Sequence, residues 1–238
     1  MTGLIKGIIF DYGGTIDSNG VHWAEVIWKA YQKEQAPVEK TIFREAYVYA
    51  ERLLGKNPII QPHHTFSDMM QLKINIQFKW LIENKYLIKS AILEQQQQNI
   101  AEACYEYAKQ SVQNAIPILE KLAAKFPLVL VSNFYGNISS VLHDFQLDSF
   151  FPTIIESAVV GIRKPDPRIF SLGVDALNIE PDKVVVIGDS YDKDIVPARS
   201  IGCKTIWLKG LGWEEYRGDE IADVVIEDFG ALKKVFRI

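Results

Sequence analysis

The sequence predicts an α/β protein: a Rossmann-like, doubly wound parallel sheet with an all-helical segment inserted near its start. Three observations carry that reading. Short apolar runs rich in β-branched residues alternate with helix-length segments after Pro117. One more such run, Leu4 to Phe10, stands alone at the beginning. Between them, from about Val21 to Gln113, apolar residues recur only at helical spacing.

Taken in order, LIKGIIF (Leu4–Phe10) is a buried strand broken by Gly13-Gly14. Trp23, Ile27, Ala30 and Tyr31 fit one helix face, and Phe43, Ala46, Tyr47 and Ala50 fit a second. A third helix is expected from Phe66 to Lys85 and a fourth from Ala91 to Gln110, with loops at Asn57-Pro58 and Gln61-Pro62-His63-His64. After Pro117 the expected elements are helix Ile118–Phe126, strand Leu128–Asn133, helix Ile138–Phe145, strand Thr153–Glu156 and helix Pro167–Leu177. Strand Lys183–Asp189, helix Ile195–Ile201, strands Lys204–Leu208 and Val224–Ile226, and helix Phe229–Phe236 complete the chain. Strands separated by helices of this length imply parallel pairing with right-handed crossovers. The expected division is therefore an α/β core of residues 1–17 plus 114–238 and a helical cap of residues 18–113.

Composition narrows the function classes. A net charge of −4 with no long basic run argues against nucleic acid and against an anionic membrane surface. No apolar run reaches the roughly 18–20 residues of a membrane helix. The opening Met1-Thr2-Gly3-Leu4-Ile5-Lys6 lacks the parts of a secretory signal, so the expected compartment is the cytoplasm. Cys104 and Cys203, far apart in sequence, suggest neither a disulfide framework nor a zinc site. The expected partner is a small molecule, bound by a monomer or homodimer.

In an open α/β sheet, ligands bind at the carboxyl ends of the strands. The first strand ends in Asp11, the second in Ser132-Asn133, and a later one in Gly188-Asp189-Ser190, with Asp192 and Asp194 just beyond. A loop carries Arg163-Lys164-Pro165. Asp11 and Asp189 can share a hard divalent cation, magnesium being the natural candidate. A carboxylate beside such an ion can attack phosphorus, while Lys164 and the Ser132 hydroxyl offset charge on the transferring group. Gly13 and Gly14 let backbone amides approach a phosphate, and the Thr15 hydroxyl can hold the Asp11 carboxylate. His63-His64 reads as an exposed loop pair outside the site, and Trp23, Trp28 and Trp80 as core anchors. Phe134 and Asn137 lie where a cap would close and are candidates for substrate contact.

FDYGGT, VSNF, the lysine of GIRKPDPRIF, and IGDSYDKDI resemble, in order, the four motifs of the haloacid dehalogenase superfamily, with a helical cap after the first. The resemblance implies a magnesium-dependent hydrolase of a small phosphorylated molecule. It implies Asp11 as nucleophile, with Ser132 and Lys164 as catalytic, phosphoryl-binding groups. Gly13, Gly14, Thr15 and Asn133 would complete the substrate site. Asp11, Asp189, Asp194 and the Gly13 carbonyl would hold the metal.

One position departs from that pattern. Phosphatases of the family usually carry a general-acid aspartate two residues after the nucleophile, and here that residue is Gly13. The loss falls hardest on alkyl phosphates, whose leaving groups need a proton. Four readings stay open at this point. Another group such as Asp17, His22 or a cap residue replaces the acid; activity is low or narrow; phosphonate or mutase-like chemistry uses a cap lysine among Lys29, Lys33, Lys40 and Lys56; or the protein binds a phosphorylated ligand or a protein without turnover. The acid-rich GDSYDKDI counts against dehalogenation.

Overall fold

In a computed structural model, residues 4–213 and 221–238 are described; the reading of Met1–Gly3 as no signal segment falls outside them. Six strands form one sheet: β1 (Gly7–Phe10), β2 (Leu128–Ser132), β3 (Thr153–Glu156), β4 (Val184–Gly188), β5 (Lys204–Leu208) and β6 (Val224–Ile226). Their spatial order is β3-β2-β1-β4-β5-β6, and every neighbouring pair is parallel. The strand that opens the sequence therefore sits at the centre, paired Ile8 to Leu128 on one side and Ile8 to Val185 on the other. The order reverses at β1, the switch point at which an open sheet leaves a crevice.

The sheet separates two apolar layers because successive side chains point to opposite faces. Ile8, Phe10, Leu128, Leu130, Val185 and Ile187 join one cluster; Ile9, Val129, Val131, Val184 and Val186 join the other. Helix α7 (Arg168–Leu177) covers the second layer through Ile169, Phe170 and Val174, assisted by Ala198 of α8 (Val196–Ser200). The first layer lies under α5 (Ile138–Asp144), α9 (Leu232–Phe236) and the end of a long helix, α4 (Ala91–Ala123). A short helix, α6 (Ser157–Val160), follows β3. Ile8, Ile9 and Phe10 have no exposed surface, and burying each such side chain contributes roughly 1.5–3 kcal/mol.

Between β1 and β2 the chain is helical: α1 (Trp23–Lys33), α2 (Lys40–Lys56), α3 (Phe66–Glu83) and α4. Thr65 and Asp68 close a capping box at the start of α3. Two expectations are corrected. The helices expected at Ala91–Gln110 and Ile118–Phe126 are one helix, which runs unbroken through Pro117. An interior proline removes one ladder bond and crowds the carbonyl four residues back, and burial of Val112 and Ala115 before it, with Ile118, Leu119 and Leu122 after it, holds the helix together across the gap. The helix expected from Ile195 begins earlier, in a wide turn over Tyr191–Ile195 in which the Val196 N–H donates to the Tyr191 carbonyl, five residues back. Among the described residues no helix is long and apolar enough to cross a membrane.

Candidate active site

The carboxyl ends of β1, β2 and β4 converge at the switch point. Asp11 follows β1 and is 4% exposed; Ser132 ends β2 and is 1% exposed. Lys164 reaches in from the loop before α7, its side chain 3% exposed. Its ammonium donates to Asp11 Oδ1 at 2.5 Å and to Asp194 Oδ1 at 2.6 Å, bridging the first strand end to the turn after β4. Ser132 Oγ lies 3.4 Å from Asp11 Oδ1. Thr15 Oγ1 lies 3.1 Å from Asp11 Oδ2 and 3.2 Å from Asp189 Oδ1, and accepts the Asp189 backbone N–H at 3.0 Å. Asn133 makes a reciprocal pair with the Lys164 backbone, its amide oxygen accepting the Lys164 N–H at 2.9 Å and its NH₂ donating to the Lys164 carbonyl at 3.1 Å. That pair fixes where the lysine side chain starts.

Two glycines make this packing possible. Gly14 has φ +97°, a conformation that a side chain strains, and a Cβ there would overlap the Asp189 carboxylate. A Cβ on Gly188 would overlap Asp194. Asp192 is exposed whereas Asp194 is 1% exposed, so of the two only Asp194 belongs to the buried cluster.

The cluster carries surplus negative charge. Carboxylate oxygens of Asp11, Asp189 and Asp194 all lie within 4.8 Å of one another, against the one Lys164 ammonium. Burial first, then the charges of Asp11 and Asp194, hold the Asp189 carboxyl well above the ordinary range. Burial likewise pushes Asp194 up to about 6, although Lys164 opposes it. Burial disfavours the charged form of Lys164, yet Asp11 and Asp194 hold it protonated above its usual value. Clustered hard oxygen donors whose like charges repel match what a magnesium ion requires. The donor set fits the ion.

A cavity of about 940 Å³ opens above the cluster, between the strand ends and the helical insertion. Asp11, Gly13, Gly14, Asn133, Lys164, Asp189 and Asp194 line its floor; Thr15 and Ser132 touch it only through Asp11 and Asp189. Phe134 also faces the cavity, whereas Asn137 ties the core to the insertion by donating to the His64 carbonyl at 3.0 Å. Trp23 lies on the cavity wall, while Trp28 packs on Phe43 and Trp80 on Tyr86. His63 is exposed. A second groove of about 1090 Å³ runs between α3 and α4 and holds none of these acids.

Both replacement acids named from sequence line the cavity, and each is already hydrogen-bonded within the protein. Asp17 is 1% exposed and accepts the Gly14 N–H at 2.8 Å and the Trp23 indole N–H at 3.0 Å, so both carboxyl oxygens already face donors. Burial pushes its carboxyl up to about 7 despite those bonds. The Nδ1 of His22 accepts the Ala24 N–H at the start of α1. Burial and the Lys193 and Lys73 charges push its pKa down to about 4. The four cap lysines named from sequence, Lys29, Lys33, Lys40 and Lys56, do not line the cavity, although another lysine of the same segment does.

Sequence reasoning missed Lys73. It stands on the cavity wall, 5% exposed, with its ammonium 2.6 Å from Glu51 Oε1 and donating to Tyr135 Oη at 3.0 Å. Tyr135 in turn donates to Glu51 Oε2 at 2.7 Å. The signal was available: Lys73 interrupts the apolar face of α3 formed by Met69, Met70, Ile74 and Phe78, where a lysine needs a reason.

Residues 5–202 match the family model of haloacid dehalogenase-like hydrolases. A glyceraldehyde 3-phosphate phosphatase of Pyrococcus furiosus is 35% identical over 92 residues, 38% of either chain. A phosphoserine phosphatase of Thermus thermophilus is 36% identical over 66 residues, 27% of this chain and 26% of its own. The chain thus matches about two fifths or less of the length of these curated relatives. Among solved structures, the putative HAD-hydrolase YfnB of Bacillus subtilis, bound to magnesium, superimposes with TM-score 0.61 at 16% identity, covering 98% of this chain and 99% of that one. A HAD phosphatase of Thermococcus onnurineus gives TM-score 0.54 at 22% identity, covering 97% of each chain. At such identities the likeness shows the fold.

Proposed function

This chain belongs to the haloacid dehalogenase-like hydrolase family, and on that premise we propose that it is a magnesium-dependent phosphatase of a small phosphorylated metabolite, working through an aspartyl-phosphate on Asp11. The observation that carries the proposal is the group of buried Asp11, buried Asp194 and half-buried Asp189 at the switch point, with Lys164 paired to the first two. Asp11, Asp189, Asp194 and the Gly13 carbonyl would hold magnesium, which supplies positive charge to the phosphoryl oxygens when bound.

The chain's own residues do the rest. The Asp11 carboxylate attacks phosphorus, the bond to the leaving oxygen breaks, and the phosphoryl group passes to Asp11. Lys164 and Ser132 offset charge on the transferring oxygens, and Thr15 keeps the Asp11 carboxylate oriented. Water then attacks the phosphorus of the aspartyl-phosphate, releasing phosphate and restoring the carboxylate. Residues 18–113 act as a cap that excludes bulk water during transfer. Because Gly13 offers no acid and Asp17 and His22 are otherwise engaged, turnover favours leaving groups of low basicity.

Phosphate release from acetyl phosphate, p-nitrophenyl phosphate, and sugar and nucleotide monophosphates, with and without magnesium, tests this reading. Metal-dependent turnover that Asp11→Asn abolishes in folded protein is the expected result. Activity surviving in that variant removes Asp11 as nucleophile; silence across the panel from folded protein removes the phosphatase reading.

A further inference from the structure

The cap-side wall of the cavity holds a polar group that the mechanism above does not use. Lys73 comes from α3, Glu51 from α2 and Tyr135 from the loop after β2, so the three meet only across the boundary between insertion and sheet. Lys73 to Glu51 is 2.6 Å, Lys73 to Tyr135 3.0 Å and Tyr135 to Glu51 2.7 Å. Lys73 is buried, while Glu51, on the cavity wall, keeps 29% of its side chain exposed. An ion pair that takes a lysine out of water is a poor device for stability, since packed apolar residues of similar size commonly do as well or better. Its place on the wall of the same cavity as Asp11 points to a ligand.

The chemistry of the set says which kind. Lys73 and Glu51 already neutralise each other, so a second anion on the substrate would meet the Glu51 charge, and a cation would meet Lys73. A hydroxyl fits without breaking the pair. Tyr135 accepts one of the ammonium N–H groups and Glu51 holds the ammonium as an ion pair, which leaves donor capacity, and Glu51 Oε1 is a buried oxygen with no hydrogen-bond partner among the described residues. Hydroxyls donate and accept at once. The cavity wall also carries aromatic side chains, among them Tyr47 and Trp213, whose rings stack on each other at 5.4 Å and supply apolar edge surface. Its volume of about 940 Å³ accommodates a hexose.

We propose that Lys73, Glu51 and Tyr135 form the leaving-group subsite, and that the substrate is a polyhydroxylated phosphate whose phosphorylated oxygen is weakly basic, a sugar phosphorylated at its anomeric oxygen. The inference rests on the phosphatase reading, and joins the hydroxyl-matching subsite to the missing acid at Gly13. An anomeric oxygen leaves more readily than a primary alkoxide and so depends less on a proton donor.

The test is steady-state turnover, with magnesium, of α- and β-glucose 1-phosphate, glucose 6-phosphate, phosphoserine and acetyl phosphate, by the wild-type protein and by Glu51→Gln, Lys73→Met and Tyr135→Phe. The expected kcat/KM is higher for at least one glucose 1-phosphate anomer than for glucose 6-phosphate or phosphoserine. The ratio of kcat/KM on that anomer to kcat/KM on acetyl phosphate should fall about tenfold or more in each variant, as loss of a hydrogen bond to a charged group predicts. A ratio that stays within about twofold of wild type would mean that the three residues only hold the cap in place. Wild-type preference for phosphoserine or glucose 6-phosphate overturns the proposal whether or not the variants fold. Acetyl phosphate turnover without any sugar preference removes this inference alone. No turnover of any substrate removes the phosphatase reading and this inference with it.

Discussion

Gly13→Asp puts back the carboxyl group that phosphatases of this family usually carry two residues after the nucleophile. The structure allows it: Gly13 lines the cavity, and a Cβ built there meets no atom within 4 Å. A general acid in position typically contributes about 10²- to 10⁴-fold, or roughly 3–5 kcal/mol of transition-state stabilisation. That gain belongs to substrates whose leaving oxygen needs a proton. The expected result is a rise of at least about 10² in kcat/KM for glucose 6-phosphate and little change for acetyl phosphate, measured as phosphate release with saturating magnesium. A general acid must carry its proton in order to donate it. The rate on glucose 6-phosphate should accordingly acquire a limb that falls at high pH. A folded Gly13→Asp protein whose ratio of rates on glucose 6-phosphate and acetyl phosphate equals that of wild type would refute the reasoning. The leaving-group proton would then come from a group that the geometry does not reveal.

Three further outcomes follow from the same geometry. Lys164→Met leaves Asp11 and Asp194 buried without their cation, so it should destabilise the metal-free protein by about 3–5 kcal/mol at pH 8 and by less at pH 5, where Asp194, which burial already lifts to about 6, takes up a proton; equal losses in denaturant melts at both pH values would contradict this. Gly14→Ala combines a strained φ of +97° with a methyl overlapping Asp189, and should cut kcat/KM on every substrate by at least about 10²-fold; near-normal activity would show that the Asp189 position tolerates displacement. His22 titrates near 4 when folded and near 6.5 when unfolded, because burial, Lys193 and Lys73 outweigh Glu51 and Glu25. The unfolded chain therefore binds more protons at His22 between those values, and the contribution of His22 to stability falls as pH drops from about 6.5 to 4. His22→Asn, which keeps a capping side chain, should lose up to about 2–3 kcal/mol less than wild type between pH 7 and pH 4; parallel urea curves would exclude His22 as the source.

Much of this was legible in the sequence, for identifiable reasons. The central strands are buried on both faces, so GIIF, LVLVS and VVVIG read as continuous apolar runs, and the polar residues just after them mark the crevice. Asp11 and Asp189 could be named because strand ends are short-range features of the chain, whereas Lys164 and Asp194 were named through the resemblance to the family's motifs. Pro117 misled because a proline's local effect was weighed without the buried residues on either side. The wide turn at Tyr191–Ile195 has no local signature, since backbone bonds five residues apart differ from ordinary helical bonds in register alone. Asn133 lines the cavity where a substrate residue is expected, but its bonds to the Lys164 backbone depend on a contact 31 residues away and have no local signal. The trio of Glu51, Lys73 and Tyr135 joins three separate elements, and only the lysine announced itself, as a charge on an apolar stripe.

The central place of β1 has a consequence for how the chain assembles. Ile8 pairs with Leu128, 120 residues further on, and with Val185 on its other side. During synthesis the strand that ends at the nucleophile emerges first and finds no neighbour until the whole helical insertion has followed it. Closing a flexible loop of that length costs roughly 4 kcal/mol, and long-range pairing of this kind slows folding. The insertion eases the delay. Its helices form from local contacts, and once they pack, residues that leave β1 and residues that approach β2 are held by one folded body rather than by a long free loop. The segment that shapes the cavity above Asp11 thus also serves as a spacer, delivering β2 to a strand that has been waiting for it.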